Sequence, residues 1–134
     1  MPLYLTNARA NCIEEAAKPL IAEDVTRIHC DVTNAPPSFV HAFFLDNALH
    51  PPLGDNSVIM TGTIRGGRSM EQRDAIAERM RHSIHARTNI PLDEIEVRIA
   101  ETPASWVMEG GDLLPEPGDE DEWLMAHDLK RNAG

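Results

Sequence analysis

The chain repeats part of itself at an offset of 55 residues, and this repeat restricts the possible folds more than any other sequence feature. Two copies of one supersecondary unit explain such a pattern. Each copy predicts a short apolar strand, a helix, a Thr-Asn turn followed by proline, and a second strand. Seven identical pairs keep the one register: Thr6 with Thr61, Ile21-Ala22-Glu23 with Ile76-Ala77-Glu78, Thr33-Asn34 with Thr88-Asn89, and Pro36 with Pro91.

The repeat divides the chain into segments with predicted boundaries. The whole sequence, 1–134, is read as one domain, because domains typically hold about 100 to 150 residues. Ser69 with Gln72 predicts a capping box at the start of the second helix. Pro19 predicts that the first helix begins near it or is kinked there. The predicted elements are strands at about 2–7 and 38–46 around a helix at 13–31, and strands at about 57–64 and 94–100 around a helix at 69–87.

The two copies, about 2–46 and 57–103, predict an α/β (α+β) fold with a four-stranded sheet and both helices on one face, since a parallel strand-helix-strand unit has a right-handed crossover. The linker, 47–56, contains Pro51-Pro52 and Gly54. The last segment, 104–134, predicts a loop with at most a short helix, frayed after residue 127. We expect the uncovered sheet face to drive self-association, and we assign to it Val58, Met60, Ile95, Val97 and Ile99.

Charge and composition exclude several classes of partner. There are 22 acidic and 12 basic residues, which give a formal charge of −10. This charge disfavours nucleic-acid and anionic membrane surfaces as partners. No long apolar segment predicts a membrane span or signal peptide, so a cytoplasmic location is expected. Cys12 and Cys30 show no metal-ligand spacing, so neither a metal site nor a cofactor is expected.

Pro2 is the first candidate for chemistry. Removal of Met1 would expose a secondary amine, which acts as an acid when protonated and as a base or nucleophile when neutral. Pro is also a common second residue, so Pro2 alone decides nothing. Arg65-Gly66-Gly67-Arg68 falls between a predicted strand and helix, where two guanidiniums can hold one small carboxylate. The alternative is that both arginines pair with acidic residues of the chain. Glu109 adds a carboxylate.

The sequence resembles the tautomerase superfamily, and most strongly its cis-3-chloroacrylic acid dehalogenase group. The similarity runs through most of the chain. It is densest in Gly66-Gly67-Arg68-Ser69, Glu101-Thr102-Pro103-Ala104, Glu109, Leu114-Pro115-Glu116-Pro117-Gly118 and Glu122-Trp123. The resemblance implies tandem strand-helix-strand units, a catalytic amino-terminal proline and a homotrimer.

Carried over by position, the resemblance implies a role for each matching residue. Pro2 would be the catalytic proline, His29 a substrate-binding histidine, and Arg65 and Arg68 the pair that holds a small carboxylate substrate. Glu109 would activate water. From the sequence alone, His29 also fits a core or capping side chain, and Trp106 fits either a pocket wall or a subunit interface.

Arg98 departs from the family pattern, because the dehalogenases carry a tyrosine there that assists the glutamate. Arg98 would then bind a second carboxylate, pair with Glu109, or point outward. Added positive charge near Pro2 favours its neutral amine, whereas the carboxylate of Glu109 favours the ammonium; if the arginines dominate, Pro2 is a free base near neutral pH. The departure therefore favours a keto-enol tautomerase acting on 2-keto or unsaturated acids. The alternatives are a cis-3-haloacrylate dehalogenase or hydratase, and a non-catalytic binding module of the same fold.

Overall fold

The two repeats form one four-stranded sheet. A computed structural model of the chain describes residues 2–46 and 53–133, so six positions of the predicted linker lie outside the described residues. The elements, in chain order, are β1 (Leu3–Ala8), α1 (Ala17–Thr33), β2 (His41–Leu45), β3 (Val58–Arg65), α2 (Met70–Thr88), β4 (Ile95–Thr102), β5 (Met108–Glu109), β6 (Asp112–Leu113) and α3 (Glu120–Ala133).

The strand order is β2-β1-β3-β4, with parallel pairs inside each repeat and an antiparallel pair where the repeats meet. Helices α1 and α2 pack against each other and cover one face of this sheet. The predicted fold class is confirmed. The antiparallel join was not predicted from the sequence, and it determines where the functional residues meet.

The residues shared by the repeats are those that end the helices. Asn34 and Asn89 both have φ 62° and terminate α1 and α2. Just before them, Thr33 and Thr88 donate their hydroxyls to carbonyls one turn back and accept a backbone N–H two residues ahead. Asparagine tolerates this left-handed conformation better than most residues, so the Thr-Asn pair stops each helix at the same place.

The helix starts also agree with the sequence. Ser69 and Gln72 form the predicted capping box of α2. Pro19 lies in the first turn of α1, where a missing backbone N–H costs nothing, so the helix begins near this proline as one of the two alternatives predicted.

The prediction for the uncovered sheet face is wrong, because the side chains assigned to it lie on the opposite face, which the helices cover. All five residues assigned to that face belong to the helix-covered core or pack against it: Val58, Met60, Ile95, Val97 and Ile99. A shift of one residue exchanges the two faces of a strand. The uncovered face instead carries the intervening apolar residues, among them Phe43 and Leu45, which are 57% and 51% exposed.

The carboxyl-terminal segment is also more ordered than predicted. It contains the β5–β6 hairpin and a 14-residue helix, α3, in place of a loop with a short helix. Trp123 anchors α3 by packing edge-on against Phe39, and its indole N–H donates to the Leu113 carbonyl. No helix among residues 2–46 and 53–133 is long and apolar enough to cross a membrane.

Candidate functional site

The antiparallel join places the amino terminus beside the arginine pair. Leu3 lies opposite Thr63 in β3, so one further step of the register sets the buried Pro2 opposite Ile64 and next to Arg65. On the other side, the His41 backbone N–H donates to the Pro2 carbonyl at 3.0 Å. Pro2 is therefore held between the end of β3 and the start of β2.

Arg65 and Arg68 converge on one carboxylate within the chain. Their guanidinium groups donate to the same oxygen of Glu120, at 2.8 Å and 3.1 Å. Arg65 also donates to the Pro115 carbonyl, and Arg68 to the Thr33 carbonyl at 3.2 Å. The side chains of all three charged residues are buried, with at most 7% exposed.

Two guanidiniums share the Glu120 carboxylate, and the exposed Glu116 adds a negative charge that acts on Arg65. Burial by itself would raise the pKa of Glu120. Hydrogen bonds from its own and the Gly118 backbone N–H, and from Arg65 and Arg68, bring that pKa below its ordinary value. Glu120 is thus ionised within the cluster.

The turn between the arginines fixes their spacing. The Gly66 N–H donates to the Thr102 carbonyl at 2.7 Å and extends the β3–β4 pairing past Arg65. Gly67 has φ +101°, and a Cβ there would lie 3.2 Å from the Pro117 ring. A residue with a side chain would therefore be strained and crowded. The glycines let the chain reverse before α2 begins, which returns Arg68 to the same cluster.

His29, on α1, packs against Tyr4 of β1 as a neutral imidazole. The Tyr4 hydroxyl is 2.7 Å from His29 Nδ1, and both side chains are buried. Burial, followed by the charges of Arg68, Arg65 and the amino terminus, lowers the pKa of His29 to about 3. Burial also raises the pKa of Tyr4, so its hydroxyl keeps its proton. When Tyr4 donates to Nδ1, the imidazole proton resides on Nε2.

Glu109 reaches the same edge of the sheet from the β5–β6 hairpin. Its Oε1 lies 3.5 Å from Nε2 of His41, the residue whose backbone contacts Pro2. The hairpin turns through Gly110 and Gly111, both with positive φ, which glycine adopts without strain. Trp106, three residues before Glu109, is 77% exposed, so the single chain leaves its side chain open to solvent.

Arg98 lies outside this cluster within the single chain. It is opposite Thr61, which pairs with Leu5, three residues along β1 from Pro2. That offset corresponds to about 10 Å along the strands and about 10 Å across two strands. The exposed guanidinium donates to Glu96 at 2.9 Å and 3.1 Å. Of the six predicted site residues, the fold brings together Pro2, His29, Arg65, Arg68 and Glu109.

Sequence reasoning missed three residues of the site: Tyr4, His41 and Glu120. Tyr4 and His41 belong to strands beside Pro2, and only the register reveals their positions. Glu120 was missed because its segment was read as loop. Three consecutive acids, Glu120 to Glu122, form the first turn of α3 and are a typical helix-start signal. Among the described residues, no three His, Cys, Asp or Glu side chains are grouped to hold a metal ion.

No family model matches the chain, and no curated sequence matches it. Solved structures do match. A symmetric trimer of a fused 4-OT has a TM-score of 0.73 at 15% identity, with 87% of this chain and 98% of that chain covered, and it shows the fold alone.

Two further structures have higher identity. N1, a member of the cis-3-chloroacrylic acid dehalogenase family, has a TM-score of 0.85 and 27% identity, with 98% of this chain and 97% of that chain covered. The native protein Ps01740 has a TM-score of 0.73 and 30% identity, with 81% of this chain and 100% of that chain covered. On the strength of this shared fold and identity, the chain belongs to the tautomerase superfamily, an enzyme superfamily, and is similar to the cis-3-chloroacrylic acid dehalogenase family.

Proposed function

We propose that the protein is a cofactor-independent proton-transfer enzyme, and that it catalyses keto-enol tautomerisation of small 2-keto or unsaturated carboxylic acids. Pro2, exposed as the amino terminus once Met1 is removed, transfers the proton. Arg65 and Arg68 bind the substrate carboxylate, and His29 orients the substrate. Glu109 orients the substrate or a water molecule.

The observation that carries the proposal is the excess positive charge beside Pro2. Two guanidiniums, of Arg65 and Arg68, share one buried carboxylate, that of Glu120, so positive groups outnumber negative ones in a buried position one residue from the Pro2 register, and Glu116 adds only an exposed carboxylate. His29 is neutral there and contributes no charge. A buried unpaired charge is costly, so a bound substrate carboxylate would be stabilised. The same guanidiniums disfavour an ammonium at Pro2 and favour the neutral amine.

A neutral secondary amine suits ketonisation of an enol. The amine accepts the enol hydroxyl proton as the carbon-oxygen double bond forms, and the resulting ammonium delivers that proton to the neighbouring carbon. The amine ends in its starting state, so no electron donor or acceptor is needed. Pro2 performs this role only after Met1 is removed, because otherwise its nitrogen is an amide.

Hydrolytic dehalogenation or hydration of an unsaturated acid is the second candidate. Glu109 supports it, because its carboxylate lies 3.5 Å from the side chain of His41, whose backbone holds Pro2, and a carboxylate there can take a proton from water. The similarity to N1 also supports it. In that reaction Pro2 would act as an ammonium that protonates carbon. The arginines oppose that charge state, which is why tautomerisation is preferred.

We also propose a homotrimer. The exposed apolar side chains on the uncovered face, Phe43 and Leu45, are of the kind that an interface buries. The fused 4-OT with the same fold is a trimer. We propose Arg98 as a further catalytic residue: it lies on the same uncovered face, so in such an assembly it would act at the interface between chains.

A paired assay tests the proposal. Protein whose intact mass shows that Met1 is absent is followed for ketonisation of an aryl enolpyruvate and for halide release from cis-3-chloroacrylate across pH. The proposal expects ketonisation that rises with pH through one titration and little halide. Halide release that falls at high pH would favour the dehalogenase. Absence of both activities would favour a binding module.

A further inference from the structure

The proposed reaction assigns no role to His41, although this residue contacts both Pro2 and Glu109. Its backbone N–H holds the Pro2 carbonyl, and its side-chain Nε2 lies 3.5 Å from Glu109 Oε1. The side chains of His41 and Glu109 are 49% and 28% exposed. His41 is thus the side chain that links the catalytic terminus to the hairpin bearing Glu109.

We propose that His41 is a positioning residue, which holds the Glu109 carboxylate in place against Pro2 by donating its Nε2–H to Oε1. The inference rests on the proposed function of Pro2 and Glu109. It does not require His41 to touch the substrate.

The charge state of His41 supports this role. Burial, the largest cause, lowers its pKa, so the imidazole is neutral at neutral pH. The amino terminus and the Glu109 carboxylate are the titratable groups that face it. A neutral imidazole donates one hydrogen bond without adding a cation beside the amine, whereas a lysine or arginine would pair with Glu109 and raise the local positive charge.

The backbone fixes the position of His41 relative to Pro2. His41 is paired with Leu3 in the β1–β2 ladder, so its Cα is fixed relative to Pro2 by main-chain hydrogen bonds. Glu109 lies on a short two-stranded hairpin, and this makes it the more adjustable partner. A hydrogen bond from the fixed residue restricts the adjustable one, and misplacement of a reacting group by about 1 Å can cost about a hundredfold in rate.

Three variants test the inference by kinetics. His41→Ala should lower kcat for ketonisation about tenfold or more and leave KM within about twofold, because Arg65 and Arg68 still hold the carboxylate. His41→Gln, which keeps a neutral donor, should restore most of that loss. The control is His82→Ala, since His82 forms a similar pair with Glu78 at 3.6 Å on α2 with comparable exposure. It should change neither constant.

An NMR titration gives a readout that does not depend on activity. The His41 pKa should fall by at least about 0.3 units when Glu109 is replaced by Gln, as expected for a partly exposed charge pair. If Pro2→Ala loses ketonisation while His41→Ala and His82→Ala have equal rates, the role of His41 is overturned and the proposed function of Pro2 stands. Full activity of Pro2→Ala would refute the proposed function, whereas the titration would still report on the pair. An unchanged His41 pKa would also overturn the inference.

Discussion

Replacement of Glu120 tests most directly how the arginine pair is stabilised. Replacing it by alanine leaves two buried guanidiniums, 2% and 7% exposed, without the oxygen that both now contact. Removal of one partner from a buried ion pair costs about 3–5 kcal/mol. A domain of this size has a free energy of unfolding of about 5–15 kcal/mol, so Glu120→Ala should be clearly destabilised in urea titrations.

The same variant should bind anions more tightly. With Glu120 absent, millimolar acetate or pyruvate should raise the free energy of unfolding more than it does in the unmodified protein, because a bound anion stabilises the native state. Glu122→Ala is the matched control, since it removes an exposed acid from the same first helical turn. A loss in Glu120→Ala below about 1 kcal/mol, or equal to that of Glu122→Ala, would refute the charge argument.

Three further predictions concern the residues around this cluster. His29 has its pKa lowered to about 3, against about 6.5 when unfolded. The unfolded state then binds the extra proton, so the free energy of unfolding falls as the pH drops below 6.5, by about 2 kcal/mol at pH 5. This decrease should be absent in His29→Asn. Equal pH slopes of the two proteins in urea titrations would contradict the prediction. A Cβ at Gly62 would lie 2.4 Å from the Tyr4 ring, so Gly62→Ala should cost about 1–3 kcal/mol in thermal or urea unfolding, and an unchanged midpoint would argue against that contact. Phe43→Glu should shift the protein toward monomer in analytical ultracentrifugation, and unchanged sedimentation would count against the proposed interface.

Much of the fold was predictable because its signals are local. Helix ends depend on Ser69, Asn34 and Asn89, each of which acts on its own backbone. The repeat then implied equal topology for both halves. The face of each strand was not predictable in the same way, because Val58 and Ile59 are both apolar and both buried. The alternation of apolar and polar residues does not identify the covered face of a strand where two neighbouring residues are both hydrophobic.

Only part of the candidate site could be predicted, because its residues meet through long-range contacts. Arg65 and Arg68 were found by motif, but their meeting with Pro2 depends on the antiparallel pairing of β1 with β3, which is a long-range contact. Glu120 is 52 residues beyond Arg68 and contacts it only through the fold. Residues that complete a site from distant segments leave no spacing pattern in the sequence.

The central claim is that the Pro2 amine transfers the proton, and Pro2→Ala tests it most directly. With Met1 removal confirmed by mass, ketonisation of an aryl enolpyruvate should fall at least about a hundredfold. The free energy of unfolding should fall by no more than about 2 kcal/mol, because alanine removes only about two methylene groups from the buried Pro2 ring. A variant that retains activity within a few-fold, or that loses stability and activity together, would contradict the account.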